Sequence, residues 1–342
     1  MVGAVLVRDG EVVGEGFHRA VGEPHAEVEA LAVAGARARG ATLYVTLEPC
    51  CHHGRTGPCT DPVIAAGVRR VVVGVEDPNP RMCGRGVEKL RAAGIEVLVG
   101  VREEACRALN AGFLSFHERG RPHVLLKLAV TLDGRLAAAG GDSRWVTAPP
   151  ARRRVQVMRA QHDAIAVGSE TALRDDPLLT LRTATGRPRR RQPRRVIFDG
   201  RLRLRPGARL FTEPGGGRVV VVTRREAPEA ARRRLREVGA EIVEVAADDA
   251  GLDLGQALAA LGEMGILSVM CEGGAGLASS LLRAGLVDQL ALFVAPKLLG
   301  GAHSLPMLGE LGVQNMDSAL MLGKMGVARV GPDLLITAVP ER

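Results

Sequence analysis

Four residues in the first sixty positions have the types and the spacing that a hydrolytic metal centre needs. His25 and Glu27 lie two residues apart, and Cys50 and Cys59 follow farther along the chain. Two thiolates and one imidazole suit Zn²⁺ and leave one of its four positions open for water. The metal lowers the pKa of that water, so a carboxylate that is not a ligand can take its proton. We therefore predict that His25, Cys50 and Cys59 bind zinc and that Glu27 transfers protons.

The order His-x-Glu, then Pro-Cys and a second cysteine, is the signature of zinc deaminases that act on nucleobases. Here eight residues separate Cys50 from Cys59, where the signature has two. Two alternatives stay open. Cys51 could replace Cys50 as a ligand, although Cys50 follows a proline as the signature requires. The cysteines could also form a structural zinc site with His52 or His53, but that leaves the upstream His-x-Glu pair unexplained.

These residues must be held by the ends of secondary-structure elements. The hydrophobic pattern predicts strands at 1–7, 11–16, 41–47, 69–74 and 96–101 and helices at 24–40, 61–67 and 86–93. Asp9-Gly10 is a strong hairpin turn between the first two strands. The near-continuous apolar run at 69–74 is typical of a strand buried on both faces of a parallel sheet. Strands alternate with helices, so we predict an α/β layer domain.

A polar segment at 117–122 with glycine and proline predicts a boundary, giving domains 1–119 and 120–342. The second domain is predicted to be α/β as well, with a helix at 151–160 and strands at 123–130, 164–168, 194–198, 218–223, 242–245, 267–271 and 290–295. A glycine loop at 272–276 leads into a predicted helix at 277–284, an arrangement that binds phosphate at a helix N-terminus. A Rossmann domain is disfavoured, because Asp288 begins the next strand instead of ending it.

The composition excludes several classes of protein. Every apolar run is interrupted by charge before it could span a membrane, and residues 1–7 lack the basic start of a signal peptide. We therefore predict a cytoplasmic location and no membrane partner. Disulfides are not expected among the six cysteines in that compartment. Cys83, Cys106 and Cys271 are predicted to be buried and inert.

The formal net charge is +8, and residues 186–195 hold six arginines: Arg187, Arg189, Arg190, Arg191, Arg194 and Arg195. Aromatic residues make up only 2% of the chain, which leaves no platform for stacking bases. We therefore predict no nucleic-acid partner and interpret the arginine stretch as a solvated loop. Small phosphorylated substrates also fit a mild basic excess.

The chain resembles the family of bifunctional riboflavin-biosynthesis deaminase/reductases. The matching segments are 2–7, 14–18, 24–27, 48–59, 77–80, 84–86 and 109–114. The insertion between the two cysteines, with Gly54-Arg55-Thr56, separates this family from cytidine, guanine and tRNA deaminases. The resemblance implies hydrolytic deamination of a phosphoribosylated diaminopyrimidine, followed by NADPH-dependent reduction of the ribosyl group to a ribityl chain. It implies the same zinc ligands, the same role for Glu27, and a place for His18 in the deaminase pocket; a surface histidine is the alternative.

The resemblance continues through 127–135, 142–147, 168–171 and 175–182. It implies a cytidine-deaminase-like three-layer domain followed by a dihydrofolate-reductase-like α/β domain. The residues implied to contact the substrate are Ser143, Arg159, Leu179, Arg182 and Glu272, of which the arginines can grip phosphate and Glu272 can accept from ribose hydroxyls. The residues implied to contact NADPH are Ala129, Trp145, Thr171, Asp175, Thr223, Gly274, Ala275, Gly276, Leu277, Ala278, Ser279 and Ser280. A core aromatic is the alternative for Trp145, and a helix-stopping loop is the alternative for Asp175.

Further expectations follow from the same resemblance. NADPH is preferred over NADH, and Arg224-Arg225 could face its 2′-phosphate, unless they are solvated loop residues. The protein is a homo-oligomer, a dimer or a tetramer. The family has a helix and a Pro-Asn-Pro turn before the first strand, whose asparagine contacts the pyrimidine. We therefore expect either a natural start upstream of Met1 or weakened deamination, which a family-like N-terminal segment would restore.

Three other functions compete with this one. The first is a deaminase of cytosine, guanine or adenosine joined to an unrelated second domain. The second is a nucleic-acid-binding protein that uses zinc structurally, and its binding would fall steeply with salt. The third is a Rossmann dehydrogenase without zinc.

Overall fold

The computed structural model describes residues 2–20, 22–54, 56–248 and 251–341. Met1 of the first predicted strand and Arg55 of the predicted insertion lie outside the described residues. The chain divides into two compact units, Met1–Gly120 and Arg121–Arg342. No helix among the described residues is both long enough and apolar enough to cross a membrane.

The first unit alternates strands and helices as its hydrophobic pattern predicts. Its strands are β1 (Gly3–Arg8), β2 (Glu11–Phe17), β3 (Thr42–Val45), β4 (Arg70–Val73) and β5 (Glu96–Val99). Its helices are α1 (Ala26–Ala34), α2 (Thr60–Ala65), α3 (Arg85–Ala92), α4 (Glu103–Leu109) and α5 (Ala111–Arg119), with a 3₁₀ turn at Gly35–Ala38. Helix α1 is shorter than predicted, because Gly35 adopts a positive φ of 54° and ends it.

These five strands form one sheet in the order β2-β1-β3-β4-β5. β1 is antiparallel to both β2 and β3, while β3, β4 and β5 run parallel. Helix α1 lies against β2 so closely that a Cβ atom on Gly14 would come within 2.2 Å of the carbonyl oxygen of Ala30. The glycines of β2 therefore let the start of α1 approach the sheet, and this contact positions His25 and Glu27.

The second unit is built on a nine-stranded sheet. Its main strands are β6 (His123–Thr131), β8 (Ala164–Gly168), β9 (Arg194–Phe198), β10 (Val219–Arg224), β11 (Ala240–Val245), β14 (Ser268–Cys271), β15 (Gln289–Ala295), β17 (Leu322–Val330) and β18 (Asp333–Pro340). Short strands are β7 (Arg135–Ala137), β12 (Ala247–Asp248), β13 (Gly251–Leu252) and β16 (Leu305–Pro306). The helices are α6 (Pro149–Ala160), α7 (Ser169–Asp175), α8 (Arg209–Thr212), α9 (Glu229–Glu237), α10 (Leu254–Glu263) and α11 (Ala275–Arg283), with a 3₁₀ turn at Met316–Ser318.

The order of the large sheet is β11-β10-β9-β8-β14-β6-β15-β18-β17. The strands from β11 to β15 are parallel, and only β18 and β17 run antiparallel. Apolar clusters cover both faces, as expected for a buried parallel sheet. The carboxyl ends of β6, β14, β8 and β9 therefore share one edge, where ligands bind in open α/β sheets.

A buried ion pair ties the start of the second unit to its sheet. Both terminal nitrogens of Arg121 donate to Asp288, at 2.7 and 2.8 Å, and Asp288 also accepts from the backbone N–H of Val124 at 2.8 Å. Asp288 is thus a structural residue at the start of β15, consistent with the prediction that it does not bind a ribose.

Candidate active sites

The predicted metal ligands meet in the first unit. His25 caps the N-terminus of α1, Cys50 follows β3 and Cys59 precedes α2, and their ligand atoms all lie within 4.8 Å of one another. The Nδ1 atom of His25 is 3.1 Å from Sγ of Cys59 and 3.5 Å from Sγ of Cys50. A tetrahedral zinc with Zn–S of about 2.3 Å and Zn–N of about 2.0 Å separates nitrogen from sulfur by about 3.5 Å. The three residues therefore fit zinc.

The two thiols of this site, those of Cys50 and Cys59, have shifted pKa values. A hydrogen bond from Cys59, with help from His25, lowers the pKa of Cys50 to about 5. The same contact with Cys50 raises the pKa of Cys59, because the two sulfurs then share one proton. A bound divalent cation favours the thiolate form of both. Thr56 completes the surroundings, with its hydroxyl 3.2 Å from Nε2 of His25.

Glu27 lies in the first turn of α1 and is 3% exposed. Burial raises its pKa to about 7, a value suited to a group that both takes and gives protons at neutral pH. Its Oε2 atom is buried without any hydrogen-bond partner in the described structure. A buried carboxylate oxygen without a partner is costly, so this atom marks the place where a polar ligand group or water belongs.

The structure distinguishes between the alternative metal ligands predicted for this site. Cys51 is half-buried and lies outside the cluster of His25, Cys50 and Cys59. His52 instead places Nδ1 2.8 Å from the sulfur of Met82. The structure therefore favours Cys50 over Cys51 and gives no support to a structural site with His52. The ring of His18 is half-buried and lies edge-on to that of His25, with centroids 5.1 Å apart, so His18 adjoins the metal-binding residues and its place in the pocket stays a prediction.

Glu48 is a site residue that sequence reasoning missed. It lies two positions before Cys50 and is buried, yet it has no ion-pair partner in the described part of the chain. Its carboxylate accepts four backbone N–H groups at 2.8–3.1 Å, from Asp77, Gly84, Gly86 and Val87. Glu48 therefore fastens the 77–87 turn to the metal-ligand segment. The run Leu47-Glu48-Pro49, an acid inside an apolar stretch, was the available signal.

The second unit contains a cavity of about 1660 Å³ along the carboxyl edge of its sheet. Most of the residues implied for substrate and NADPH lie on its wall: Ala129, Ser143, Trp145, Arg159, Thr171, Asp175, Leu179, Arg182, Glu272, Gly274, Ala275, Gly276, Leu277 and Ser280. Thr223, Ala278 and Ser279 are buried behind the wall instead. The hydroxyl of Thr223 donates a hydrogen bond to the backbone carbonyl of Gly200. Gly200 lines the cavity, so Thr223 supports the cavity wall through this backbone contact.

A charged cluster occupies one end of this cavity. Arg159 and Glu272 form a two-pronged ion pair, with Nη2 of Arg159 2.8 Å from Oε2 of Glu272. Burial alone would raise the pKa of Glu272, but the charge of Arg159 holds it below its usual value. Lys127 on β6 also lines the cavity, and burial lowers its pKa. Sequence reasoning missed Lys127, although a single lysine in an apolar strand was a signal.

The glycine loop occupies the adjoining stretch of the cavity. Gly273 and Gly274 have φ of 86° and 82°, and a Cβ atom on Gly274 would lie 2.7 Å from the hydroxyl oxygen of Thr171. Helix α11 begins directly after the loop and presents its free N–H groups there. The loop can therefore accept a phosphate against its backbone.

Two of the residues implied to contact NADPH, Trp145 and Asp175, each had a structural alternative, and both lie on the cavity wall. Trp145 is 63% exposed on the cavity wall, with the guanidinium of Arg152 4.5 Å from its ring centre, so the core-aromatic alternative is wrong. Asp175 is both the last residue of α7 and part of the wall. Its helix-stopping and cavity-facing interpretations are therefore compatible.

The arginine pair expected at the 2′-phosphate is not on the cavity wall. Arg224 is the last residue of β10 and Arg225 follows it, and neither is among the residues that line the cavity. The arginines after β9 that line the cavity are Arg201, Arg203 and Arg209, and Arg203 is paired with Glu170. The structure thus does not support Arg224 and Arg225 as the cofactor contact.

Comparisons with known proteins agree with this two-part arrangement. Residues 1–75 match the family model described as the cytidine and deoxycytidylate deaminase zinc-binding region, and residues 122–336 match the RibD C-terminal domain. Riboflavin biosynthesis protein RibD of Escherichia coli is 44% identical, with 99% of this chain and 92% of that protein covered. The Aquifex aeolicus protein of the same name is 43% identical, with 98% and 90% covered.

Solved structures give the same result. Acinetobacter baumannii RibD superposes with a TM-score of 0.87 at 39% identity, covering 100% of this chain and 92% of that one. A diaminohydroxyphosphoribosylaminopyrimidine deaminase/5-amino-6-(5-phosphoribosylamino)uracil reductase from Thermotoga maritima gives 0.83 at 38% identity, covering 99% and 92%. The predicted α/β fold class is confirmed, and an unrelated second domain and a Rossmann dehydrogenase are excluded.

Proposed function

The chain belongs to the RibD family of bifunctional riboflavin-biosynthesis proteins, and from this premise we propose how its residues divide the two reactions. It is a zinc-dependent deaminase and an NADPH-dependent reductase. The deaminase is assigned to residues 1–119 and the reductase to residues 120–342. The metal cluster in the first unit and the cavity in the second support this division.

In the deaminase, His25, Cys50 and Cys59 would hold the zinc. When bound, zinc lowers the pKa of a water molecule and so supplies a nucleophile at neutral pH. Glu27 takes the proton of the attacking water and passes it to the departing ammonia, and its raised pKa of about 7 suits both transfers. His18 lines the pocket beside His25. The substrate is a diaminohydroxyphosphoribosylaminopyrimidine.

In the reductase, Arg159, Arg182 and Ser143 bind the phosphoribosyl group of 5-amino-6-(5-phosphoribosylamino)uracil. Glu272 accepts hydrogen bonds from the sugar, and its pairing with Arg159 fixes both side chains. NADPH would be held along the carboxyl edge of the sheet, where the Gly274–Ala275 loop can bind phosphate and Ala129 lines the cavity. The presence of these residues on the wall of one cavity supports this assignment.

The observation that carries the deaminase assignment is the buried Oε2 atom of Glu27, which has no hydrogen-bond partner in the described structure, beside the three metal-binding side chains. The test is incubation with the diaminopyrimidine substrate, with and without NADPH, following ammonia and NADPH separately. We expect ammonia release in both cases and NADPH oxidation only after deamination. NADPH oxidation without ammonia release would contradict this order of reactions.

Replacing Glu272 by glutamine should slow reduction about 10²-fold, because the group that orients the sugar and Arg159 loses its charge, and misplacement at a reacting centre costs that much. Ammonia release should be unchanged. The measurement is NADPH oxidation with supplied deaminated intermediate, after thermal unfolding has shown that the variant is folded. Glu263→Gln, at an exposed position of α10 away from the cavity, is the matched control. Equal rates in both variants would remove Glu272 from the mechanism.

We also propose a homo-oligomer, a dimer or a tetramer, formed through β17. This strand is the edge of the nine-stranded sheet, and it exposes Met325 and Val327 at 61% and 64%. An edge strand with exposed apolar residues is a template for pairing with a second copy. Val327→Asp should lower the mass measured by sedimentation to that of one chain. A wild-type protein that sediments as a single chain would contradict the proposal.

We also propose a cytoplasmic location and no nucleic-acid partner. All six cysteines are unpaired, which suits a cytoplasmic protein. Cys106 and Cys271 are buried as predicted, but Cys83 is exposed, so the prediction that it is buried is wrong. The proposed ligands are small phosphorylated molecules and not nucleic acid; the basic residues Lys127, Arg159 and Arg182 on the cavity wall support this proposal.

A further inference from the structure

The arginine-rich segment has a defined conformation in the structure. Residues 181–191, which we call the arginine hairpin, fold back so that Arg189 donates its N–H to the carbonyl of Leu181 at 3.0 Å. The side chain of Gln192 accepts from the N–H of Leu181 at 2.8 Å and donates to the carbonyls of Leu181 and Arg189. The hairpin is thus fastened at its base, and the prediction of a simple solvated loop is incomplete.

The hairpin forms part of the cavity wall at the Arg159–Glu272 end. Arg182 and Arg189 line the cavity, and the N–H of Arg182 donates to the side chain of Gln156 on α6 at 2.8 Å. Arg159 donates to the carbonyl of Thr180, directly before the hairpin, at 2.8 Å. The hairpin is therefore connected to Arg159, one of the residues proposed to bind the substrate.

Four guanidinium groups of the hairpin have no neutralising partner. Arg187, Arg189, Arg190 and Arg191 are exposed, and no carboxylate forms an ion pair with any of them in the described part of the chain. By contrast, Arg236 on α9 is paired with both Glu229 and Glu244. The hairpin therefore produces an uncompensated positive potential at the mouth of the cavity.

We propose that the arginine hairpin captures the phosphorylated pyrimidine from solution by long-range attraction and so raises the rate at which it enters the reductase cavity. This inference rests on the proposed reductase function. A phosphate monoester carries a charge of about −2 near neutral pH. At about 0.1 M ionic strength the Debye length is about 10 Å, so several unpaired charges act on such a ligand before contact. Steering of this kind raises association rates by about 10- to 10³-fold.

The experiment compares kcat/KM for 5-amino-6-(5-phosphoribosylamino)uracil at saturating NADPH. The first variant changes Arg187, Arg189, Arg190 and Arg191 to glutamine. The control makes the same change in net charge at four exposed arginines that do not line the cavity: Arg218, Arg233, Arg234 and Arg236. Rates are measured at ionic strengths of about 0.01 M and 1 M, where the Debye lengths are about 30 Å and 3 Å.

At low salt the hairpin variant should lose about tenfold in kcat/KM, with kcat and the KM for NADPH nearly unchanged, while the control loses less than about twofold. At high salt the difference should nearly vanish. A third variant, with lysine at the four hairpin positions, should keep wild-type kcat/KM, because steering needs the charge and not the guanidinium geometry.

Three results would overturn the inference: equal loss in hairpin and control variants, a loss that persists at high salt, or a lysine variant as slow as the glutamine variant. If the glutamine variant does not fold, the wild type still tests the inference, because a kcat/KM that does not fall with salt would overturn it. A wild type that does not reduce the uracil at all would instead refute the proposed reductase function.

Discussion

Glu27→Gln is expected to slow ammonia release by about 10⁴-fold or more, while the protein keeps its zinc and still reduces supplied deaminated intermediate. A positioned general acid or base contributes about 10²–10⁴-fold. Glu27 serves both water activation and ammonia departure, so the upper end applies. Glutamine has the same size and fits the same buried position, but it cannot take a proton.

The surroundings of Glu27 make the effect of the Glu27→Gln substitution straightforward to interpret. Glu27 is 3% exposed and its Oε2 atom has no partner in the described structure, so the substitution breaks no protein contact at that atom. The matched control is Glu29→Gln on the same helix, a half-buried residue 3.5 Å from Arg19, which should leave deamination unchanged. Ammonia release, zinc content and NADPH oxidation are measured on each protein.

Two outcomes would refute the assignment. Deamination at the wild-type rate would show that another group moves the proton. Loss of both activities in a folded, zinc-loaded protein would show that the two reactions share one site, against the division of the chain into two units.

Cys50→Ser is expected to lower zinc affinity by more than about 100-fold and to abolish deamination. Removing a residue that only supports a metal ligand already costs about 10–100-fold, and here a ligand itself is lost. A serine hydroxyl is a poor replacement for a thiolate whose pKa is lowered to about 5. Reduction of supplied intermediate should continue, because the cavity lies in the second unit.

Cys51→Ser is the matched control, one position along the chain. Its thiol lies outside the metal cluster, and burial raises its pKa, so it is the poorer ligand. Metal analysis of purified wild type should give about one zinc per chain, bound by three protein ligands. Full zinc in Cys50→Ser together with loss of zinc in Cys51→Ser would reverse the assignment of the two cysteines.

The sequence by itself determined the chemistry of the first site. Three ligands and a proton carrier lie in two short segments, and the strand–turn–helix pattern around them places both segments at the same end of a sheet. Metal ligands must be of a few residue types at the starts or ends of elements, so their spacing could be interpreted without a structure. The parallel core strands were equally visible, because strands buried on both faces are almost wholly apolar.

Tertiary structure alone decided which distant groups meet. Glu48 contacts the 77–87 turn, and Lys127 shares a cavity with Glu272 although 145 positions of chain separate them. Arg224 and Arg225 were predicted at the cofactor, but neither lies on the cavity wall. The hairpin of β17 and β18 at the edge of the sheet was not predicted either, because exposed and half-buried residues do not alternate regularly along β17. Contacts of this kind depend on strand order and register, which local pattern does not encode.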